Sequence, residues 1–83
     1  FLGRAITFFK KQDVGEFYIE TGELHKGEKV TIAGPTTGFL QVIVEDMRVD
    51  NKPVDTAKKG ENVTFKVPER IRKNDKLFVI RNV

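Results

Sequence analysis

Apolar and polar residues alternate in short runs along the chain, and polar or glycine-rich segments separate these runs. Alternation with a period of two is typical of half-buried β-strands, and the three- and four-residue spacing of amphipathic helices is absent. The pattern therefore predicts an all-β fold. The six predicted strands span residues 2–11, 14–20, 29–34, 39–50, 61–67 and 76–82.

Each predicted strand directs one set of apolar side chains towards a common core. The connections 21–28 and 68–75 each add one apolar anchor, Leu24 and Ile71. The first strand is apolar on both faces, so Phe8 and Phe9 are both expected in the core. The remaining core candidates are Phe17, Ile19, Val30, Ile32, Leu40, Val42, Val44, Met47, Val49, Val63, Phe65 and Val67.

The fourth predicted strand indicates how the sheet closes. Its inward set changes parity between Val44 and Met47, which predicts a β-bulge near Glu45 and Asp46. A bulge lets a strand bend around the corner of a barrel, and closure removes the edges that a small open sheet would expose. The sequence therefore predicts a small, closed or nearly closed six-stranded β-barrel that forms one domain over residues 1–83.

The length and composition exclude several classes of protein. The 83 residues allow one domain, and without Cys or Ser the chain has no disulfide, thiolate nucleophile or serine nucleophile. No apolar run approaches the roughly 20 residues of a membrane-spanning helix, and no secretion signal is recognisable. We therefore expect a cytoplasmic protein without a membrane partner. The chain lacks an initiator Met, and we expect it to be part of a longer protein.

Few residues of the chain could support catalysis. His25 is the only histidine, so no metal site of several ligands is expected around it, and we interpret it as a surface residue. Glu45 and Asp46 are neighbours in a strand and would point to opposite faces. The segment 34–38 lacks the Gly-Lys-Ser/Thr end of a phosphate-binding loop. We predict no catalytic residue, no metal and no cofactor.

Positive charge is concentrated at the two ends of the chain. Residues 1–11 carry three basic and no acidic side chains, and residues 56–83 carry eight basic against three acidic ones, within a net charge of +3 for the chain. If the two ends are neighbours in space, they form a basic face. An ordinary solvated surface of mixed charge remains the alternative.

The most basic surface is predicted in the loops of the C-terminal part. Cationic loop side chains can bind phosphates, and exposed aromatic rings could add a stacking surface for bases. The candidate aromatic residues are Tyr18, Phe39 and Phe78. The candidate binding residues are Arg70, Arg72, Lys73, Lys58 and Lys59.

Several short motifs follow one another in an order that resembles known β-barrel domains. Four of these motifs resemble the second domain of translational GTPases such as elongation factor Tu. They are Gly22-x-Leu24-x-Lys26-Gly27-Glu28-x-Val30, Val44-Glu45-Asp46-Met47, Ala57-x-x-Gly60-Glu61-Asn62-Val63 and Arg72-x-Asn74-Asp75-x-Leu77. A second set of motifs is more similar to the C-terminal barrel of collagenase-like (U32) peptidases and to small elongation-factor-like proteins. This set consists of Gly34-Pro35-Thr36-Thr37-Gly38, Pro53-Val54, Lys59-Gly60 and Arg72-Lys73-Asn74-Asp75-Lys76-Leu77-Phe78.

The resemblance implies a non-catalytic accessory module, the C-terminal domain of a collagenase-like peptidase homologue. Its partner would be the upstream catalytic domain of the same chain, and its role would be to assist substrate binding or to dock onto that domain. Relatives of these peptidases are associated with RNA hydroxylation as well as proteolysis. A standalone RNA-, tRNA- or ribosome-binding module is the alternative. A third interpretation is an interdomain packing element, which would expose an apolar patch of several hundred Å².

Overall fold

The structure, a computed structural model, describes residues 1–81, and within them it contains ten strands and no helix. The prediction of an all-β domain is confirmed. The strands are β1 (Gly3–Phe9), β2 (Val14–Ile19), β3 (Glu23–His25), β4 (Lys29–Gly34), β5 (Gly38–Ile43), β6 (Met47–Val49), β7 (Lys52–Pro53), β8 (Thr56–Lys58), β9 (Asn62–Lys66) and β10 (Lys76–Ile80). The last residue of the predicted strand 76–82 lies outside the described residues.

The predicted count of six strands is wrong. Three additional strands, β3, β7 and β8, are only two or three residues long. The predicted strand 39–50 is divided into β5 and β6, because residues 44–46 are not part of a strand. The predicted bulge near Glu45 and Asp46 is therefore a break in the strand. A register irregularity occurs instead in β1, between Ala5 and Thr7.

Eight strands form one antiparallel sheet in the order β5-β4-β10-β1-β2-β9-β6-β7, and β3 pairs with β8 in a separate two-stranded sheet. In residues 1–81 the large sheet is open, with β5 and β7 at its edges, so the predicted closed or nearly closed barrel is not formed. After β5 only residues 44–46 intervene before β6, which pairs with β9. Pro53 cannot donate a backbone hydrogen bond, which suits the edge position of β7.

The core lies on the inner face of the large sheet. Most predicted core residues are buried there, and the rings of Phe17 and Phe65 stack with their centroids 4.7 Å apart. Phe8 is half-buried and packs against the core, but Phe9 is 42% exposed, so its predicted burial is wrong. Neighbouring residues of a strand point to opposite faces. The register of β1 on β2 sets Phe8 beside Gly15 on the inner face and Phe9 beside Val14 on the outer face.

The two basic ends of the chain are neighbours, because β1 pairs with β10 and Arg4 lies opposite Lys76. Part of this charge is neutralised locally. The guanidinium of Arg4 lies 3.2 Å from a carboxylate oxygen of Glu20. Within residues 1–81, no helix is long and apolar enough to cross a membrane.

Candidate functional site

Three of the five predicted binding residues share one loop between β9 and β10. Arg70, Arg72 and Lys73 are all exposed there, and the buried side chain of Ile71 anchors the loop to the core. The loop is also held by Asp75, whose side chain is only 2% exposed. The burial of this carboxylate is not evident from the sequence pattern.

The carboxylate of Asp75 organises the end of the loop. Its Oδ2 accepts a hydrogen bond from the backbone N–H of Arg72 at 2.8 Å and another from the hydroxyl of Thr37 in the β4–β5 turn. The Asp75 carboxylate also lies directly against the backbone of Gly34, where a side chain would have no room, because a Cβ at Gly34 would overlap Asp75 Oδ1. Asp75 thus joins the basic loop to the β4–β5 hairpin.

Lys58 and Lys59 lie at the other end of β9. The N–H of Gly60 donates to the carbonyl of Ile19, whereas the N–H of Val67 donates to the carbonyl of Asp13. These two carbonyls are separated by the length of β2, roughly 20 Å at the rise of an extended strand. The structure therefore places the two lysines away from the loop of Arg70, Arg72 and Lys73. The binding role of all five residues stays a prediction.

The three predicted stacking residues differ in accessibility. Tyr18 is half-buried, and the guanidinium of Arg4 lies 5.3 Å from the centroid of its ring. Phe78 is half-buried and makes an edge-on contact with Phe1, with ring centroids 5.8 Å apart. Phe39 is 83% exposed. Of the three rings, that of Phe39 offers the largest free surface.

His25 is exposed, as the sequence predicts, at the end of β3. Its Nδ1 lies 3.1 Å from the hydroxyl oxygen of Thr56, and its Nε2 lies 3.6 Å from a carboxylate oxygen of Glu23. Across residues 1–81, no group of three or more His, Cys, Asp or Glu side chains is arranged to hold a metal ion. The surroundings of His25 are those of a surface residue.

An ion pair joins the chain beyond β10 to the start of β4. Arg81 Nε donates to Glu28 Oε2 at 2.7 Å, and Arg81 Nη2 donates to the carbonyl of Glu23 at 2.7 Å. The hydrogen bond from Arg81 is the main reason that the pKa of Glu28 lies below its ordinary value; partial burial opposes this effect, and the N–H of His25 adds to it. The charged carboxylate of Glu28 therefore stabilises the folded chain.

Replacing Glu28 by Gln should make the stability of the protein less dependent on pH on the acid side. Folding lowers the pKa of Glu28, so its carboxylate contributes to the free energy of unfolding. This contribution is fully present above the ordinary glutamate pKa and is lost as the pH falls through the lowered pKa of the folded state. We expect the free energy of unfolding, measured in urea at about pH 7 and about pH 3, to change less in Glu28→Gln than in the wild type. Lys52→Ala, which removes an exposed charge, should keep the wild-type dependence. An unaltered pH dependence in Glu28→Gln would contradict this assignment.

A shallow groove of about 720 Å³ runs over the outer face of β2, β9 and β6. The register sets Glu16, Thr64 and Arg48 side by side across these three strands, and they form its floor. Its walls are formed by two turns. The β1–β2 turn contributes Phe9 and Gln12, and the β6–β7 turn contributes Asp50 and Asn51. The remaining lining residues are Val14, Asp46, Asn62, Phe65 and Lys66. The alternation of apolar and polar residues carries no signal for this groove.

The β6–β7 turn has a backbone conformation that its residues permit. Asp50 and Asn51 have φ angles of 52° and 63°, in the left-handed region that Asp and Asn tolerate better than most residues. Two successive left-handed residues are typical of tight hairpin turns whose twist matches that of the strands. Both residues therefore stand in a defined position at the rim of the groove.

A second surface, on the outer face of β5, β4 and β10, carries several exposed apolar side chains. Phe39 and Ile43 project from the edge strand β5 and are 83% and 58% exposed. Ile80 on β10 is 40% exposed and lies in the same cross-strand row as Ile43, separated from it by Lys29 of β4. Phe1, 53% exposed, covers part of Phe78 on β10. We call Phe1, Phe39, Ile43 and Ile80 the apolar face.

The chain is similar to segments of larger known proteins. No protein-family model matches it. The collagenase of Porphyromonas gingivalis is 41% identical over 78 residues, which make up 94% of this chain and 22% of the collagenase. The uncharacterized protease MJ0090 of Methanocaldococcus jannaschii is 34% identical over 80 residues, 96% of this chain and 19% of that protein. The chain thus spans about a fifth of the length of the curated relatives it matches.

One solved structure shows the fold in isolation. The C-terminal domain of a Geobacillus thermoleovorans "putative U32 peptidase" superposes with a TM-score of 0.89 at 16% identity and covers 98% of this chain and 92% of that domain. The expected translation-factor type of barrel is not confirmed. The chain is therefore homologous to a segment of collagenase-type proteins, and its fold is that of a U32 peptidase C-terminal domain.

Proposed function

We propose that this chain is a non-catalytic accessory domain of a peptidase-like protein and that the apolar face docks onto the catalytic part of that protein. The exposure of Phe39, Ile43, Ile80 and Phe1 on one side of the sheet is the observation that carries the proposal. Exposed apolar residues grouped on one face of a sheet mark interaction surfaces, because leaving them in water is unfavourable. Among the interpretations of the sequence, the interdomain packing element is the one that requires such a surface.

The occupant of the apolar face would be the remainder of the parent protein. The relatives are about five times as long as the matching segment, so most of such a protein lies outside it. β5 is also an edge strand, and within residues 1–81 one side of its backbone has no partner in the sheet. A covering segment would bury the side chains of Phe39 and Ile43, each worth about 1.5–3 kcal/mol when fully buried.

The names of the relatives bear on the substrate of the parent protein. One is called a collagenase and the other a protease, so we infer that the parent protein acts on a polypeptide. The alternative of an RNA-binding module depends on Arg70, Arg72 and Lys73, whose exposure is compatible with phosphate binding. Neither of these two relatives is named for RNA, and we therefore favour the accessory domain.

The docking proposal predicts a difference between the isolated chain and the complete gene product. In the complete product, the amides of residues 39–43 should exchange with deuterium at least about tenfold more slowly than in the 83-residue chain, because burying one such side chain is worth more than the 1.4 kcal/mol of a tenfold effect. Phe39→Ser combined with Ile43→Ser should restore fast exchange. Gln41→Ser, on the same strand between them, is the control and should have a smaller effect.

Two outcomes would overturn the docking proposal. One is a complete gene product that contains only these residues. The other is exchange of residues 39–43 that is equally fast in the isolated chain and in the complete product. Because all the substituted side chains are exposed in the chain itself, the variants should fold, which far-ultraviolet circular dichroism can check.

A further inference from the structure

We propose that the groove over β2, β9 and β6 binds an extended segment of polypeptide. The proposal rests on the proposed function, since it takes the substrate of the parent protein to be a polypeptide. The groove is distinct from both the apolar face and the basic loop. Its floor is formed by Glu16, Thr64 and Arg48, none of which belongs to either of those surfaces.

The dimensions of the groove suit one extended chain. Its volume of about 720 Å³ falls within the roughly 300–1,000 Å³ of typical ligand sites. β9 runs along the floor for five residues, about 16 Å at the rise of a strand. Three neighbouring strands give a width of about 10 Å, which is also the thickness that an extended chain needs with its side chains. A segment of about five residues therefore fits between the two walls.

The charged side chains of the groove are available to a ligand. Glu16, Asp46 and Asp50 are its acids, and Arg48 and Lys66 are its bases. Within residues 1–81 none of these five forms an ion pair with another side chain, although bases and acids pair elsewhere on the surface. Charges of both signs, close together and unpaired, can bind acidic and basic side chains of the same ligand.

The neutral polar groups match the main chain of a polypeptide. Gln12, Asn51 and Asn62 each carry an amide that both donates and accepts hydrogen bonds, and a peptide backbone offers one donor and one acceptor per residue. The exposed ring of Phe9 adds an apolar wall for a side chain or a proline. Together these groups are complementary to an uncharged backbone that carries mixed side chains.

A nucleic acid fits the same groove poorly. Three carboxylates against two cationic groups give the groove a net charge of −1, from the residues that line it. Nucleic-acid affinity depends on the neutralisation of phosphates by Lys and Arg, and nearby carboxylates oppose it. The groove therefore favours a polypeptide over RNA, whereas the loop of Arg70, Arg72 and Lys73 would favour the reverse.

The test measures binding of the 83-residue chain to immobilised gelatin, which supplies extended polypeptide of mixed charge. The first variant is Arg48→Ala, and its matched control is Lys29→Ala, which also removes one exposed positive charge but on β4, four strands from β9. A second variant, Phe9→Ser, tests the apolar wall. Arg48→Ala and Phe9→Ser should each weaken gelatin binding about tenfold, as Arg and aromatic residues do at the centre of interfaces, and Lys29→Ala should change it less than about twofold.

Transfer RNA, added as a competitor at about 0.15 M salt, separates the ligand classes. We expect it not to displace gelatin. Displacement by tRNA, an absence of gelatin binding, or equal weakening by Arg48→Ala and Lys29→Ala would each overturn the proposal. The docking proposal is tested by hydrogen exchange in β5, so its failure would be seen in a different measurement.

Discussion

Gly3→Ala should destabilise the fold by about 3 kcal/mol or more, a large part of the roughly 4–12 kcal/mol that a domain of this length has in total. A Cβ at position 3 would overlap the carbonyl oxygen of Tyr18. That oxygen belongs to the backbone of β2, the strand paired with β1, so it cannot move aside as a flexible side chain would. Relief of the clash would require separation of the two strands. Urea unfolding followed by circular dichroism measures the loss.

Gly27→Ala is the matched control for Gly3→Ala. It adds the same methyl group at a position where a Cβ would meet no atom within 4 Å. Gly27 has a φ of 92°, so alanine there is strained, at a cost of about 1–2 kcal/mol. If the two substitutions destabilise the chain equally, the close approach of β1 and β2 at Gly3 does not have the effect assigned to it.

Asp75→Ala should cost about 2–4 kcal/mol and loosen the loop that carries Arg70, Arg72 and Lys73. The substitution leaves the N–H of Arg72 and the hydroxyl of Thr37 without the acceptor that they share, and each unsatisfied partly buried donor costs about 1–3 kcal/mol. The free energy of unfolding in urea measures the first effect. Faster trypsin cleavage after the three basic residues measures the second.

Two further substitutions separate the contributions at Asp75. Thr37→Val removes one of the two donors and should cost less than Asp75→Ala. Asp75→Asn keeps an acceptor oxygen in nearly the same volume and should also be milder. Wild-type stability and unchanged trypsin cleavage in Asp75→Ala would show that the carboxylate does not hold the loop.

The sequence predicts the core well because burial follows from alternation within strands of five residues or more. Phe17, Ile19, Val63 and Phe65 are buried as expected. The short strands β3, β7 and β8 are missed because two or three residues cannot establish a period. Whether the sheet closes depends on whether its two edge strands pair with each other, and alternation within a strand carries no information about that pairing.

The surfaces are harder to predict than the core. Lys58 and Lys59 are close in sequence to the other basic candidates, but β9 runs between the two groups and holds them apart. Asp75 resembles an ordinary polar loop residue in the sequence, since its partner Thr37 is 38 positions away in the chain. The apolar face did leave a signal: Phe39 to Ile43 is apolar at both parities except for Gln41, which indicates a strand with two apolar faces.

The position of β10 has a consequence for how the chain acquires its structure. β10 is the last strand along the described chain, yet in the sheet it lies between β4 and β1. Within the described residues it alone pairs the β4–β5 hairpin with the other group of strands, which consists of β1, β2, β9, β6 and β7. During synthesis the two parts can form separately, but they cannot join until residue 80 has left the ribosome. The contacts that join them span much of the sequence, and such non-local pairings form slowly. Folding of the complete sheet therefore waits for β10, and until then the edges beside β1 and β4 stay open to other chains.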